Sequence, residues 1–364
     1  MKNIRSLPPL CAEEVFNSTS TLRVKLGFDP TGARLHLGHL APIRLAQKLA
    51  RRGHKIVIIL GTLTGRLGDP SGQDKTRPIL TEEEALSNAE AIEETLRKFF
   101  PEGFEVHLNH NFVSDLDIPF FLTRLASKVS VAQMLSRDGF RNRISKGSSI
   151  GLHELLVPLL QGWDSVRVEA DVEIGGTDQL FNFQIARLLQ ESEGQKQQKC
   201  LFAPIVSGTD GRKASKSLNN AIFLDEAPEE IFGKILSVSD EVSEELIEAL
   251  TDLRDLPPHP LDKKKLLAED LVRQIHGGES AKKAKAHFES TVQKKELPSE
   301  IDELEADAVL ELIIAVKSCS RSQAKRLIQG GGVRLNGEKV KDPLQKASVG
   351  SILQVGKRGF ARIV

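Results

Sequence analysis

Two histidines, His36 and His39, stand three positions apart in the run Gly27-Phe-Asp-Pro-Thr-Gly-Ala-Arg-Leu-His-Leu-Gly-His39, where a polar loop gives way to a helical pattern. Side chains three apart at a helix start project to one side. The unpaired N–H groups and the positive dipole end of that start favour a phosphate. Two imidazole donors added there suit the negative charge that builds when a nucleoside triphosphate is attacked at its α-phosphorus. Thr31 adds a hydroxyl donor, Pro30 stiffens the loop, and Gly38 lets a nucleotide base approach the backbone. Taken alone, such a histidine pair is commonly plain polar surface, and a metal would need further ligands that no His or Cys cluster supplies. A second stretch, Lys213-Ala-Ser-Lys-Ser217, places two lysines three apart on a basic loop that contains glycine. Two ammonium groups closing over the first site would neutralise a pyrophosphate leaving group.

The elements that must hold these groups are legible from periodicity. Residues 24–28 read as a short strand, residues 38–52 carry helical spacing at Leu40, Ile43, Leu45, Ala46 and Leu49, and residues 55–61 are an apolar, doubly buried strand. Such a strand–helix–strand unit is parallel and right-handed, with ligands at the carboxyl ends of its strands, where the histidine loop sits. Residues 62–81 form a glycine- and proline-punctuated loop, residues 82–99 a helix and residues 104–108 a third strand. Three helices are expected over 118–162, broken near Gly139 and Gly147. Residues 166–174 then read as a strand, Thr177 or Asp178 as the N-cap of a helix to Glu191, and residues 202–206 as a last strand. From Pro228 to about Val292 only helices are expected, broken at Pro257-Pro258 and Gly277-Gly278. Residues 293–305 are the best linker, and beyond them lie two short helices and several strands around turns.

The chain has 364 residues, with 50 basic and 50 acidic side chains, which gives no general attraction to polyanions. The balance is uneven along the chain. From Ala306 to Val364 there are 11 Lys/Arg and 4 Asp/Glu, a net of +7 that leaves −7 elsewhere, so the basic end points to nucleic acid. Cys11, Cys200 and Cys319 are scattered and support neither a disulfide framework nor a zinc site. No apolar run suits a membrane span, so a cytoplasmic protein is expected. The sequence contains no tyrosine at all, and Trp163 is its single tryptophan.

Asp-Pro-Thr followed by His-Leu-Gly-His, with Lys-Ala-Ser-Lys-Ser downstream, resembles the two ATP motifs of class I aminoacyl-tRNA synthetases. The likeness to the bacterial tyrosyl-tRNA synthetases covers nearly the whole chain. It extends to Gly68-Asp-Pro-Ser71, Leu160-Gln-Gly-Trp-Asp164, Gly175-Gly-Thr-Asp-Gln179 and the basic end, which is similar to a small RNA-binding domain of some ribosomal proteins and pseudouridine synthases. The resemblance implies an α/β fold: a Rossmann-like parallel-sheet catalytic domain over 1–226 with a helical insertion at about 109–164. An α-helical anticodon-binding domain over 227–297 and a small α+β RNA-binding domain over 306–364 would follow.

By the same resemblance Thr31, His36 and His39 serve the adenylation transition state, with Lys213, Lys216 and Ser217 as the pyrophosphate loop. Asp69, Gln161 and Gln179 would hold the ends of the amino acid, Asp164 the tyrosine hydroxyl, and Lys25, Gly27, Asp29 and Val157 the rest of that pocket. Gly38, Asp178, Gln179 and Lys216 would border ATP. Lys325, Arg326 and Arg334 would contact RNA phosphates. The implied substrates and partners are ATP with Mg2+, tyrosine, tRNA(Tyr) and a second copy of the chain, with no resident metal, membrane or DNA. Four positions depart from the common pattern: Val157 and Trp163 stand where tyrosines are usual, Lys25 where one branch has a tyrosine and another a lysine, and Ala214 where methionine is usual. Valine can neither donate nor accept, which leaves room for a paralogue of altered specificity; the other alternative, a non-catalytic RNA-binding protein, is opposed by the intact His36, His39, Lys213 and Lys216.

Overall fold

The computed structural model describes residues 4–9, 11–68, 80–114, 116–216, 218–290, 302–317, 319–356 and 359–364. The chain divides into two compact units, residues 1–227 with 234–271, and residues 228–233 with 272–364.

The first unit is built on a six-stranded sheet of β1 (Arg5–Leu7), β2 (Arg23–Phe28), β3 (Lys55–Leu60), β4 (Glu105–Leu108), β5 (Val172–Gly176) and β6 (Lys199–Ala203). Their spatial order is β1-β6-β5-β2-β3-β4, all parallel except β1, which pairs antiparallel with β6. The strand order turns back between β2 and β5, which opens a crevice beyond their carboxyl ends. The branched run Ile56-Val-Ile-Ile-Leu60 is buried throughout, as expected of a strand covered on both faces. Phe28 pairs with Leu60 and Leu26 with Ile174, so the loops that follow these three strands leave the sheet side by side.

The helix Leu37–Ala50 buries Leu40, Ile43 and Leu49, on the expected face. The helix Glu82–Arg97 starts at a capping box in which Thr81 accepts from the Glu84 N–H and Glu84 accepts in return. The insertion contains helical segments over Ile118–Phe120 and Phe121–Leu125, then Val131–Leu135 and Asp138–Ser145, and ends in the long helix Leu152–Arg167.

Five local expectations are corrected. The helix Leu152–Arg167 runs into the span read as strand 166–174, and β5 begins only at Val172. Val166, Val168 and Ala170 do alternate, but they enter one core with Leu159 and Trp163, so apolar alternation there marks a helix end and its exit. Gly139 lies inside the helix Asp138–Ser145, whereas Gly147, at φ +69°, does mark a break. Neither Thr177 nor Asp178 caps the helix Leu180–Ser192, because a single tight turn, Thr177–Gln179, precedes it. The last parallel strand occupies 199–203 rather than 202–206, and the loop after β3 holds a short helix, Thr64–Leu67.

The helices Pro228–Ser237, Asp240–Leu250, Pro260–His276 and Gly278–Phe288 follow as expected. They do not make a body of their own, since the span 227–297 is shared between the two units. The second unit contains a five-stranded sheet of β7 (Asp302–Leu304), β8 (Val333–Leu335), β9 (Glu338–Lys339), β10 (Ile352–Val355) and β11 (Gly359–Ile363), in the order β7-β11-β10-β8-β9. The helices Val309–Lys317 and Arg321–Gln329 pack on it through Ile313, Ala324 and Ile328. Because β7 pairs in parallel with β11, the end of the expected linker belongs to this sheet, and the small domain begins ahead of residue 306.

Candidate active site

The first loop forms its site through the cap of its helix. His36 is the N-cap of Leu37–Ala50, and its Nδ1 accepts the Gly38 N–H at 3.1 Å. The Nδ1 of His39 accepts the His36 N–H at 3.1 Å in return. A backbone N–H can only donate, so each ring is neutral at Nδ1 and carries its proton on Nε2. The ring centroids lie 4.0 Å apart. Burial, followed by the charges of Lys216 and Lys213, lowers His36 to about 4, and burial pushes His39 well below the usual histidine range. The pair therefore offers two neutral N–H donors rather than two cations. Gly38 has a reason beyond the approach of a base: a Cβ there would lie 2.9 Å from Cε1 of His36.

A buried polar network lies at the ends of β2, β3 and β4. Asp29 accepts from Thr64 Oγ1 at 2.6 Å and from Gln161 Nε2 at 3.4 Å. Asn109 receives the Leu63 N–H at 2.8 Å on Oδ1, which turns its amide so that Nδ2 donates to Thr64 at 3.0 Å and to Asp164 Oδ2 at 3.3 Å. On the other side Asn182 Nδ2 donates to the side-chain Oε1 atoms of Gln161 (2.6 Å) and Gln179 (2.8 Å). A carboxylate that only accepts and an N–H that only donates thus fix the orientation of every amide between them. Gly61 makes this possible, since a Cβ there would fall 2.0 Å from Asp29 Oδ1.

Asp164, on the helix Leu152–Arg167, is 4% exposed, and burial raises its carboxyl from an ordinary 3.8 to about 7 against the opposing pull of Lys25 and Asn109. Lys25 on β2 is buried too. Its three N–H donors go to Glu173 (2.7 Å), Ser165 Oγ (2.7 Å) and the Gln161 carbonyl (3.0 Å). Lys25 therefore acts on this pocket through its charge, with no donor left over.

The basic loop approaches from the end of β6. Lys213 pairs with Asp178 at 3.0 Å, and Lys216 donates to the Gly32 carbonyl at 3.0 Å, which joins the two sequence motifs directly. His36 also forms an isolated antiparallel bridge with Phe223, just past the loop. The loop's near end is held by Glu245 of the helix Asp240–Leu250, which accepts from both N–H (2.8 Å) and Oγ (2.7 Å) of Ser207.

These pieces surround one cleft of about 870 Å³. Thr31, His36, Gly38 and His39 line it from the first loop, and Lys25, Gly27 and Asp29 from β2 and its end. Gln161 and Asp164 line it from the insertion helix, Asp178 and Gln179 from the turn after β5, and Lys213 and Lys216 from the basic loop. Val157 is the exception: it is fully buried and does not line the cleft, so the structure does not support its place among the substrate-binding residues. Trp163 is likewise in the core, its indole N–H on the Phe112 carbonyl at 3.1 Å. Asp69 and Ser217 lie outside the described residues. Thr64, Asn109, Glu173 and Asn182 were not found by motif reading. Their only signal in sequence is a polar side chain at or just past the end of a buried strand or inside an apolar helix. In the second unit Lys325, Arg326 and Arg334 are all exposed.

A crevice at the switch point of a parallel sheet, beyond the carboxyl ends of its strands, is where such folds take their ligands, and here a histidine-capped helix and a two-lysine loop both face it. Residues 17–293 match the family model for tRNA synthetases class I (W and Y), and residues 313–353 match the S4 domain. The chain belongs to this class I tRNA synthetase family. It is 40% identical over 362 residues to the tyrosine–tRNA ligase of Thermotoga maritima, covering 94% of this chain and 90% of that one. With the tyrosine–tRNA ligase of Haemophilus ducreyi it is 39% identical over 381 residues, covering 100% and 96%. The fold is shared with a tyrosyl-tRNA synthetase of Archaeoglobus fulgidus solved with L-tyrosine (TM-score 0.58, 20% identity, 75% of this chain and 92% of that one). It is shared also with the tryptophanyl-tRNA synthetase of Plasmodium falciparum (TM-score 0.56, 16% identity, 75% and 79%).

Proposed function

We propose that the chain is a tyrosine–tRNA ligase, which activates tyrosine with ATP to tyrosyl-adenylate and passes the acyl group to tRNA(Tyr). The observation that carries the choice of amino acid is Asp164, a buried carboxyl in the same cleft as the histidine pair and the two lysines. A buried acceptor left without a hydroxyl is costly, so such a pocket rejects phenylalanine by about 10⁴–10⁵. The names of the bacterial relatives support the same substrate.

In the first step the tyrosine carboxylate attacks the α-phosphorus of ATP. The Nε2–H groups of His36 and His39 stabilise the charge on the phosphate oxygens, and Lys213 and Lys216 stabilise the departing pyrophosphate. In the second step a ribose hydroxyl of the terminal adenosine of tRNA attacks the carbonyl carbon of the adenylate; the ester bond forms as the acyl–phosphate bond breaks, and AMP and the hydroxyl proton leave. Positioning and charge stabilisation suffice, with no covalent nucleophile from the protein. Mg2+ enters on the phosphates of ATP; among the described residues no group of three or more His, Cys, Asp or Glu side chains could hold a metal ion.

The S4 domain supports tRNA as the partner, with Lys325, Arg326 and Arg334 as phosphate contacts. Ile118, Leu122, Val131, Ile144 and Leu152, all exposed and all from the insertion, favour burial of that surface against a second copy. No helix among the described residues is long and apolar enough to cross a membrane. ATP–pyrophosphate exchange measured with tyrosine, phenylalanine and tryptophan is the direct test. Exchange with tyrosine alone is expected, and its absence would overturn the assignment in favour of a paralogue or a non-catalytic RNA-binding protein.

A further inference from the structure

The basic loop is wound on one buried side chain that the motifs do not include. Asn220 is 2% exposed. Its Oδ1 accepts the Ser215 N–H at 2.9 Å, and its Nδ2 donates to Asp210 Oδ1 at 2.7 Å and approaches the carbonyls of Lys213 at 3.3 Å and Arg212 at 3.5 Å. Its own carbonyl accepts the Thr209 N–H at 2.8 Å. Backbone donors and acceptors fix the amide in this one orientation. All five contacts lie within residues 209–215. They hold the carbonyl of one lysine and the N–H immediately ahead of the other. At Gly208 a Cβ would meet Asn220 Cγ at 2.5 Å, so the hairpin closes on this amide without room for a side chain.

We propose that Asn220 is a positioning residue for adenylate formation: it sets the backbone of residues 209–215 so that Lys213 and Lys216 reach the phosphates together. This rests on the reading of the two lysines given under the proposed function and extends it to a residue that touches no substrate. Asp210, which Asn220 and Arg212 hold at about 2, keeps its charge and therefore its grip on the amide at any working pH. Misplacing a charge-stabilising group by about 1 Å costs on the order of 10²-fold in rate. Tyrosine binding, by contrast, uses the network around Asp164 and should be untouched.

The test uses the full chain with Asn220→Asp, which keeps the acceptor for Ser215 but turns a carboxylate on Asp210 and two carbonyls, and with Asn220→Ala. Asn219→Gly, at a neighbouring exposed position with φ +52°, serves as control. Sites are counted by equilibrium dialysis of tyrosine without ATP, so misfolded molecules drop out, and ATP–pyrophosphate exchange is expressed per tyrosine site. The expected result is a fall in per-site kcat of about 10²-fold for both variants, with tyrosine affinity retained and the control at the wild-type rate. A per-site rate equal to wild type, even with a lowered melting temperature, overturns the proposal, as does an equal loss of tyrosine binding. If wild type itself binds tyrosine without exchange, it is the adenylation reading that fails.

Discussion

At the scale of residues, His36 does two things that substitution can separate. Asparagine is a good N-cap, so His36→Asn should keep the helix start and the melting temperature while removing one N–H donor, lowering the exchange rate by about 10²–10³. His36→Ala should show the same rate loss and cost about 1 kcal/mol of stability besides, read by urea unfolding. Asp164 has a signature in pH. Its folded-state pKa is raised, so its contribution to stability is complete below 3.8 and is lost as pH climbs through about 7. Relative to Asp164→Asn, the ligand-free wild type should lose stability across that window, which unfolding midpoints at several pH values would show. Motif spacing located both residues, yet neither protonation state was legible, because each depends on which backbone N–H or buried neighbour a folded side chain meets. Val157 is the opposite case: its place in the motif is plain, and it shares a helix face with Gln161 and Asp164, yet its side chain is fully buried and does not reach the lining of the cleft.

At the scale of elements, the helix Asp240–Leu250 and the residues after it act as a strut across the site. Glu245 holds Ser207 at the root of the lysine loop, and Asp252 holds Arg44 (2.9 Å) and Lys48 (2.6 Å) on the histidine helix. The Asp252 pairs are partly exposed and contribute little to stability on their own. Glu245→Ala should slow exchange, and a cycle with Ser207→Ala should give a coupling on the order of 1 kcal/mol; additivity of the two would count against the strut. The helices themselves were plain in the sequence from their spacing. Their attachment to the loops that line the cleft was not, since Ser207 and Glu245 are 38 residues apart and nothing in local pattern pairs them. The strand misread at 166–174 has a similar origin, for a helix end and its exit can bury alternate residues as a strand does.

At the scale of the whole molecule, the charge asymmetry read from composition corresponds to a domain with its own sheet and core. A cut after Glu305 would leave β7 without its partner β11, so a chain ending ahead of Asp302 is the better truncation. It should retain ATP–pyrophosphate exchange and lose most tRNA charging; full charging would remove the RNA role assigned to Lys325, Arg326 and Arg334. The parallel sheet and the small domain were both legible because periodicity and composition are local quantities, while the division of residues 228–288 between two units is a property of packing. The buried indole of Trp163 stands next to Asp164 in a chain that has no tyrosine. In such a protein every phenol belongs to the substrate, free or bound, and only a bound one comes close enough to the single indole to pass its excitation on, so transfer to that indole follows amino-acid occupancy without any label.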